Sequence, residues 1–270
     1  MNVTVDVQGV MIPRLGLGTY QLKGDDCREV VGAALDIGYR HVDTAEAYEN
    51  EAEIGRTLED SRIPRDELFL TTKVWWTHLK GTELRRHLDA SLERLRSDYV
   101  DLTLIHWPNT DLSLGEPLEA MQELKEAGRT RLIGVSNFTP ELLERAAELA
   151  PIATNQVEYH PFLAQDDLRN LARRLGHVLT AYCPIARNRV ADDPVIQQIA
   201  ERHERTPAQV TLRWHLQQHE VIAVPRSSKR THLEQNFDVF DFELTDGEME
   251  SIHQRARGER IVDPEWAPAW

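Results

Sequence analysis

Cysteine is almost missing from this 270-residue chain: Cys27 and Cys183 lie far apart and without CxxC spacing. A disulfide framework is thereby excluded. Positive charge is also short, 31 Lys and Arg against 45 Asp and Glu, for a formal net charge of -14. Such a surface repels a phosphate backbone, so broad nucleic-acid binding is disfavoured, while a local basic pocket for a small anion stays open. No apolar run approaches the roughly 20 residues that a membrane helix needs, and MNVTVDVQGV lacks the basic-then-apolar pattern of a signal peptide. The expectation is a cytoplasmic protein with reduced thiols and neither nucleic-acid nor membrane partners.

What is present is alternation. With 41% hydrophobic and 28% charged residues, short β-branched runs are each followed by a longer charged stretch of helical spacing. After a small hairpin (Val3 to Val7, Val10 to Pro13), the predicted strands are Arg14 to Thr19, His41 to Ala45, Leu68 to Val74, Val100 to Trp107, Leu132 to Asn137, Ala153 to Tyr159, Val178 to Ile185 and Val221 to Ser227. Helices such as Thr82 to Arg96, with Leu84, Leu88, Leu92 and Leu95 on one stripe, and Pro117 to Ala127 fit the crossovers. Eight βα units in roughly 250 residues, with no linker, predict one (β/α)8 TIM barrel domain over residues 1–270 with an N-terminal β-hairpin. A doubly wound sheet is the alternative. Its fingerprint GxGxxG fails in GLGT, because Gln21 stands where the third glycine belongs and the glycines open a loop rather than a helix.

A barrel collects its reactive groups at the carboxyl ends of the strands. Those ends read Thr19 and Tyr20, Asp43 with Tyr48 just beyond, Lys73, His106, Ser136 and Asn137, Asn155 and Gln156, Tyr182, then Arg226 and Ser227. Polar residues mark strand termini anyway, but a phenol, an ammonium, a carboxylate and an imidazole on strands two to four form a chemical set. Lowering a phenol from about 10 to about 7 takes roughly 4 kcal/mol. A cation at about 4 Å under an effective dielectric of about 20 is worth that much. Lys73 is thus predicted to make Tyr48 acidic, with Asp43 offsetting the cost of burying the lysine.

GYRHVDTAEAYENEAEIG, LFLTTKVW, VDLTLIHWP, RLIGVSNF, NQVEYHP, VPRSS and NFDVFDFEL together resemble the aldo-keto reductase family nearly end to end. The short connections and TPAQVTLRWHLQQ look most like the bacterial 2,5-diketo-gluconate reductase branch. The resemblance implies an NAD(P)H-dependent oxidoreductase reducing an aldehyde, ketone or keto-sugar to an alcohol, and a monomer as the family default. Tyr48 would donate the proton, the Asp43–Lys73 pair would keep it acidic, and His106 would orient the carbonyl. For the cofactor, Ser136, Asn137 and Gln156 would meet the carboxamide and Tyr182 would stack on the ring. Thr19, Tyr20, Asp43 and Pro184 would lie alongside. Arg226, Ser227, His232, Gln235 and Asn236 would take the adenosine end. There Arg226-Ser227 replaces the family's Lys-Ser, His232 falls where NADPH enzymes carry an Arg, and Gln235 replaces a Glu. The expectation is NADPH, with NADH also accepted. Tyr20, Tyr48, Trp75, His106 and Trp107 would face substrate, and Trp76, Trp266 and Trp270 would extend that aromatic wall.

Other patterns read as structural. His215 and His219 have i, i+4 spacing without an accompanying metal motif, so no metal is expected. Asp25-Asp26 and Asp192-Asp193 suit helix N-termini. Cys183 reads as a small filler. Two competing functions remain: a non-catalytic nicotinamide-binding relative, and hydrolysis or isomerisation by Asp43 and His106 without nicotinamide.

Overall fold

The computed structural model describes residues 3–268. An antiparallel hairpin of β1 (Thr4–Val7) and β2 (Val10–Pro13) precedes a parallel eight-stranded sheet. Its strands follow chain order: β3 (Leu17–Gly18), β4 (His41–Asp43), β5 (Phe69–Val74), β6 (Val100–Ile105), β7 (Thr130–Ser136), β8 (Ile152–Glu158), β9 (Val178–Tyr182) and β10 (Val221–Ala223). The two edges meet. Leu15 bridges Ala223 in parallel, and the Gly16 and Gly18 amides donate to the Ala223 and Pro225 carbonyls at 2.9 and 3.0 Å. The structure is a (β/α)8 barrel, as the strand-helix alternation predicts.

The seam explains GLGT. A Cβ on Gly18 would stand 2.7 Å from the Val224 carbonyl oxygen, and one on Gly16 would stand 2.8 Å from the His41 ring. These glycines admit a close approach of backbones.

Several predicted strands are too long at their ends, for local reasons. The ninth stops at Tyr182 rather than Ile185 because Cys183 and Ala186 turn into left-handed backbone, φ 48° and 49°. The tenth stops at Ala223, just ahead of Pro225, which has no N–H to give to a ladder.

Crossover helices are α1 (Gly24–Ile37), α2 (Glu51–Ser61), α3 (Gly81–Leu95), α4 (Gly115–Glu126), α5 (Pro140–Leu149), α6 (Asp166–Leu175), and both α7 (Pro194–Arg202) and α8 (Pro207–Gln217) before β10. Then come α9 (Arg230–Phe237) and α10 (Asp246–His253). The leucine stripe of α3 is buried. Asp193 caps α7 through the Val195 and Ile196 amides, while Thr206 with Gln209 and Thr245 with Glu248 form capping boxes. One apolar cluster fills the space between sheet and helices. A second lies inside the barrel, where Phe69, Leu102, Leu104, Leu132, Val178 and Ile222 pack against Val7, Val10 and Ile12 of the hairpin. The hairpin therefore plugs the amino end and leaves the carboxyl end for the site.

Candidate active site

Strand alternation decides which side chains meet. Phe69 packs inside the barrel, so Thr71 and Lys73 share its face, and Lys73 rises toward the carboxyl end. Asp43, last residue of β4, reaches the same level. Its Oδ1 accepts from Lys73 Nζ at 2.6 Å and its Oδ2 from Gln156 Nε2 at 2.6 Å. Lys73 Nζ also donates to the Thr44 carbonyl at 2.8 Å and lies 3.4 Å from the Tyr48 hydroxyl. Lys73 is wholly buried, a placement tolerable only with these partners.

Tyr48 closes a 3-10 turn, Glu46–Tyr48, that folds back over the mouth. Its ring packs edge-on against Tyr20 at 5.1 Å and His106 at 5.5 Å, and His106 packs against Trp75 at 5.1 Å. The four residues of the chemical set are therefore neighbours. Buried Asn50 holds the turn: it accepts from the Thr44 hydroxyl and donates to the Thr19 and Leu22 carbonyls. Sequence reading missed it, though it ends the quoted AYEN.

The electrostatics correct one expectation. Burial, and next the Asp43 carboxylate, push the Tyr48 phenol well above its ordinary range rather than down toward neutrality. The Lys73 ammonium, 3.4 Å from the hydroxyl, does not outweigh that burial. Burial lowers the lysine itself, opposed by Asp43. Burial, then Lys73, hold His106 well below the usual histidine range, so its ring is neutral.

Beside this set, the Ser136 hydroxyl donates to the Gln156 carbonyl at 2.8 Å. Asn137, in left-handed backbone at φ 62°, donates to the His106 carbonyl and accepts from the Tyr182 hydroxyl at 2.8 Å. Thr19 is buried with its hydroxyl on the Asp43 carbonyl, and Pro184 accepts from His215 Nε2. Farther out, Arg226, His232 and Gln235 are exposed, while Ser227 and Asn236 are buried. Lys229 and Arg230, which the motif reading passed over, sit at the start of α9, a helix without a side-chain N-cap.

Trp266 lies over the mouth. Its ring stacks on Trp76 at 5.6 Å and meets Trp75 and Trp107 edge-on at 5.3 and 4.9 Å. Trp270 lies outside the described residues. The tail is anchored by Glu158, fully buried, whose carboxylate accepts from the Ile261 and Val262 amides at 2.8 Å each and pairs with His160. Its anchoring role is invisible in NQVEYHP because the tail amides it holds are about a hundred residues away. A separate recess of about 550 Å³ lies at the amino end, lined by residues including Val5, Arg169 and Glu220; it contains none of the chemical set. Among the remaining patterns, His215 is buried against Tyr159 while His219 is exposed, so the helical pair does not converge.

The fold and this set make a (β/α)8 barrel with a phenol, an ammonium, a carboxylate and an imidazole gathered at its carboxyl mouth. The model for the Aldo/keto reductase family matches residues 14–257. An aldo-keto reductase of Mycolicibacterium smegmatis is 43% identical over 94% of this chain and 93% of its own. Methylglyoxal reductase DkgB of Escherichia coli O157:H7 is 42% identical over 96% and 99%. Glyoxal reductase of Bacillus subtilis is 41% identical over 94% and 92%. A solved structure provisionally named 2,5-diketo-D-gluconic acid reductase B superposes with TM-score 0.97 at 45% identity, covering 100% of this chain and 98% of that one. The chain belongs to the aldo/keto reductase family.

Proposed function

We propose that this protein reduces small aldehydes, ketones or keto-sugars to alcohols with NAD(P)H, Tyr48 giving the proton. The observation that carries the reading is the convergence of the Tyr48 hydroxyl, Lys73 and Asp43 beside a neutral His106 at the barrel mouth. A reduced nicotinamide, when bound, supplies the hydride. The residues present suit that group: buried amides and a hydroxyl at Gln156, Asn137 and Ser136, the Tyr182 ring beside them, and an uncapped helix start flanked by Arg226, Lys229 and Arg230 for a phosphate.

His106 donates a hydrogen bond to the carbonyl oxygen, orienting it. Negative charge gathers on that oxygen as the carbon is reduced, and Tyr48 passes it a proton. A phenol above its ordinary range serves here, because an alkoxide is a base of roughly hydroxide strength and takes a proton from any phenol. Lys73 then faces the phenolate and favours it, and Asp43 keeps the ammonium in place. The aromatic lining from Trp75, Trp76, Trp107 and Trp266 excludes water and suits a compact substrate. The names of the relatives, methylglyoxal reductase and glyoxal reductase, make small dicarbonyls the first substrates to test.

Purified protein is expected to oxidise NADPH on addition of methylglyoxal or glyoxal. No oxidation across an aldehyde panel, with NADPH still quenching tryptophan fluorescence, would instead identify a nicotinamide-binding relative without turnover. Neither oxidation nor quenching would leave the cofactor-free hydrolase or isomerase reading. With His232 in place of an arginine, NADH is expected to compete better than in a strict NADPH enzyme; a strict preference in kcat/KM would refute that.

A further inference from the structure

The structure assigns Glu46, His78 and His87 to a divalent transition-metal site beside the catalytic turn. Three separate segments supply the ligands: the Glu46–Tyr48 turn, the Trp76–His78 turn and α3. Glu46 Oε1 lies 3.0 Å from His78 Nδ1, and Glu46 Oε2 lies 2.6 Å from His87 Nδ1. The imidazoles stack at 3.7 Å with an angle of 16° between them. One ligand atom from each residue lies within 4.8 Å of the other two.

The bland account is a carboxylate accepting two hydrogen bonds. It explains each contact singly but leaves two imidazoles from separate segments aimed at one carboxylate. Replacing the two shared protons by one cation satisfies all three groups together. A tetrahedral ion with bonds of about 2.0–2.1 Å needs its ligand atoms about 3.3 Å apart. Because each imidazole lone pair lies in its ring plane, binding requires the stacked rings to swing out of parallel until both Nδ1 atoms face the ion, and the two histidines are half-buried with a side open to solvent.

Neighbouring groups already hold the ligands. The Trp75 amide donates to Glu46 Oε1. Glu83 Oε2 stands 3.9 Å from His87 Nε2, placed to accept from that nitrogen once Nδ1 carries the metal. Arg86 also lies 3.3 Å from that nitrogen, and its pairing with Glu83 leaves the carboxylate as the acceptor in the bound tautomer.

Two imidazoles and one carboxylate suit Zn²⁺, Co²⁺ or Ni²⁺, with water in the open position, and not Ca²⁺ or Mg²⁺, which take oxygen ligands. Such an ion ties the turn that carries Tyr48 to the turn that carries Trp76. The motif is unreadable in sequence because Glu46 is 32 and 41 residues from its partners.

The test uses full-length, tag-free protein stripped with EDTA. Calorimetric titration with Zn²⁺ is expected to show one ion per chain, and Co²⁺ is expected to give visible ligand-field bands. His78→Gln and His87→Gln should each weaken Zn²⁺ binding by at least about tenfold, and the double variant should lose the Co²⁺ bands. His219→Gln, at an exposed histidine elsewhere, should change neither. If circular dichroism shows the double variant unfolded, X-ray absorption of the Zn²⁺-loaded wild-type protein decides by finding two imidazoles on the metal. No stoichiometric uptake, uptake retained by a folded double variant, or a shell without two imidazoles overturns the assignment. None of these readouts uses turnover, so they stand apart from the reading of Tyr48.

Discussion

Two aspartates at opposite ends of the barrel both have buried carboxylates and opposite uses. Asp101, near the amino end of β6, is wholly buried and accepts from the Leu70 amide, Arg65 and Arg131 at 2.8–2.9 Å. Arg65 is itself held by the Leu68 and Tyr99 carbonyls and lies over the Tyr99 ring. Every partner of Asp101 is a fixture of the scaffold. Asp43, at the carboxyl end of β4, shares Lys73 with a tyrosine hydroxyl that faces the mouth. Burial of a charge is therefore uninformative by itself. What separates tie from chemistry is whether the partner touches a group that can react.

Tyr48→Phe tests the reactive end most severely. Loss of a general acid is expected to lower kcat by about 10²–10⁴-fold with cofactor affinity nearly unchanged, measured by steady-state turnover and fluorescence quenching. Asp43→Asn keeps the shape but frees Lys73 to shift, and should lower kcat on the order of 10²-fold.

Acid should strike both regions together. Burial holds His106, His41 and His177 below the ordinary histidine range and takes His215 down to about 3. These rings are neutral when folded and take up protons on unfolding, where histidine titrates at about 6.5. The stability they confer is complete above that pH and drains as pH falls toward 3. For His215 the slope is about 1.4 kcal/mol per pH unit, checked by urea melts from pH 7 to 4.

At the scaffold end, Asp101→Asn should cost about 2 kcal/mol in a urea melt, since its arginines are partly exposed, while kcat stays within about twofold. A large kcat loss there would break the comparison. Trp266→Ala should have the smallest effect, raising KM for small dicarbonyls by about two- to tenfold through lost aromatic contact, with kcat little changed.

Much of this was legible in the sequence. Short apolar, β-branched runs located the strands, because a barrel strand is buried on both its interior and its helix-facing side. Strand ends then delivered Asp43, Lys73 and His106 to one face, and Tyr48 one loop later. The limits were physical. GLGT read as a failed fingerprint until the seam showed Gly18 against the Val224 carbonyl. Tyr48 acidity was misjudged because weighing Lys73 alone omits burial of the phenol and the nearby Asp43 carboxylate, which both push it up.

The sequence by itself determined the barrel, the family and the residues that meet at its mouth, since these depend on local periodicity and on motifs a few residues long. Only the tertiary structure decided that Glu158 anchors the tail, that Trp266 covers the mouth, and that Glu46, His78 and His87 converge. Each joins segments tens of residues apart or more, and no short-range pattern fixes how far such segments stand from one another in space.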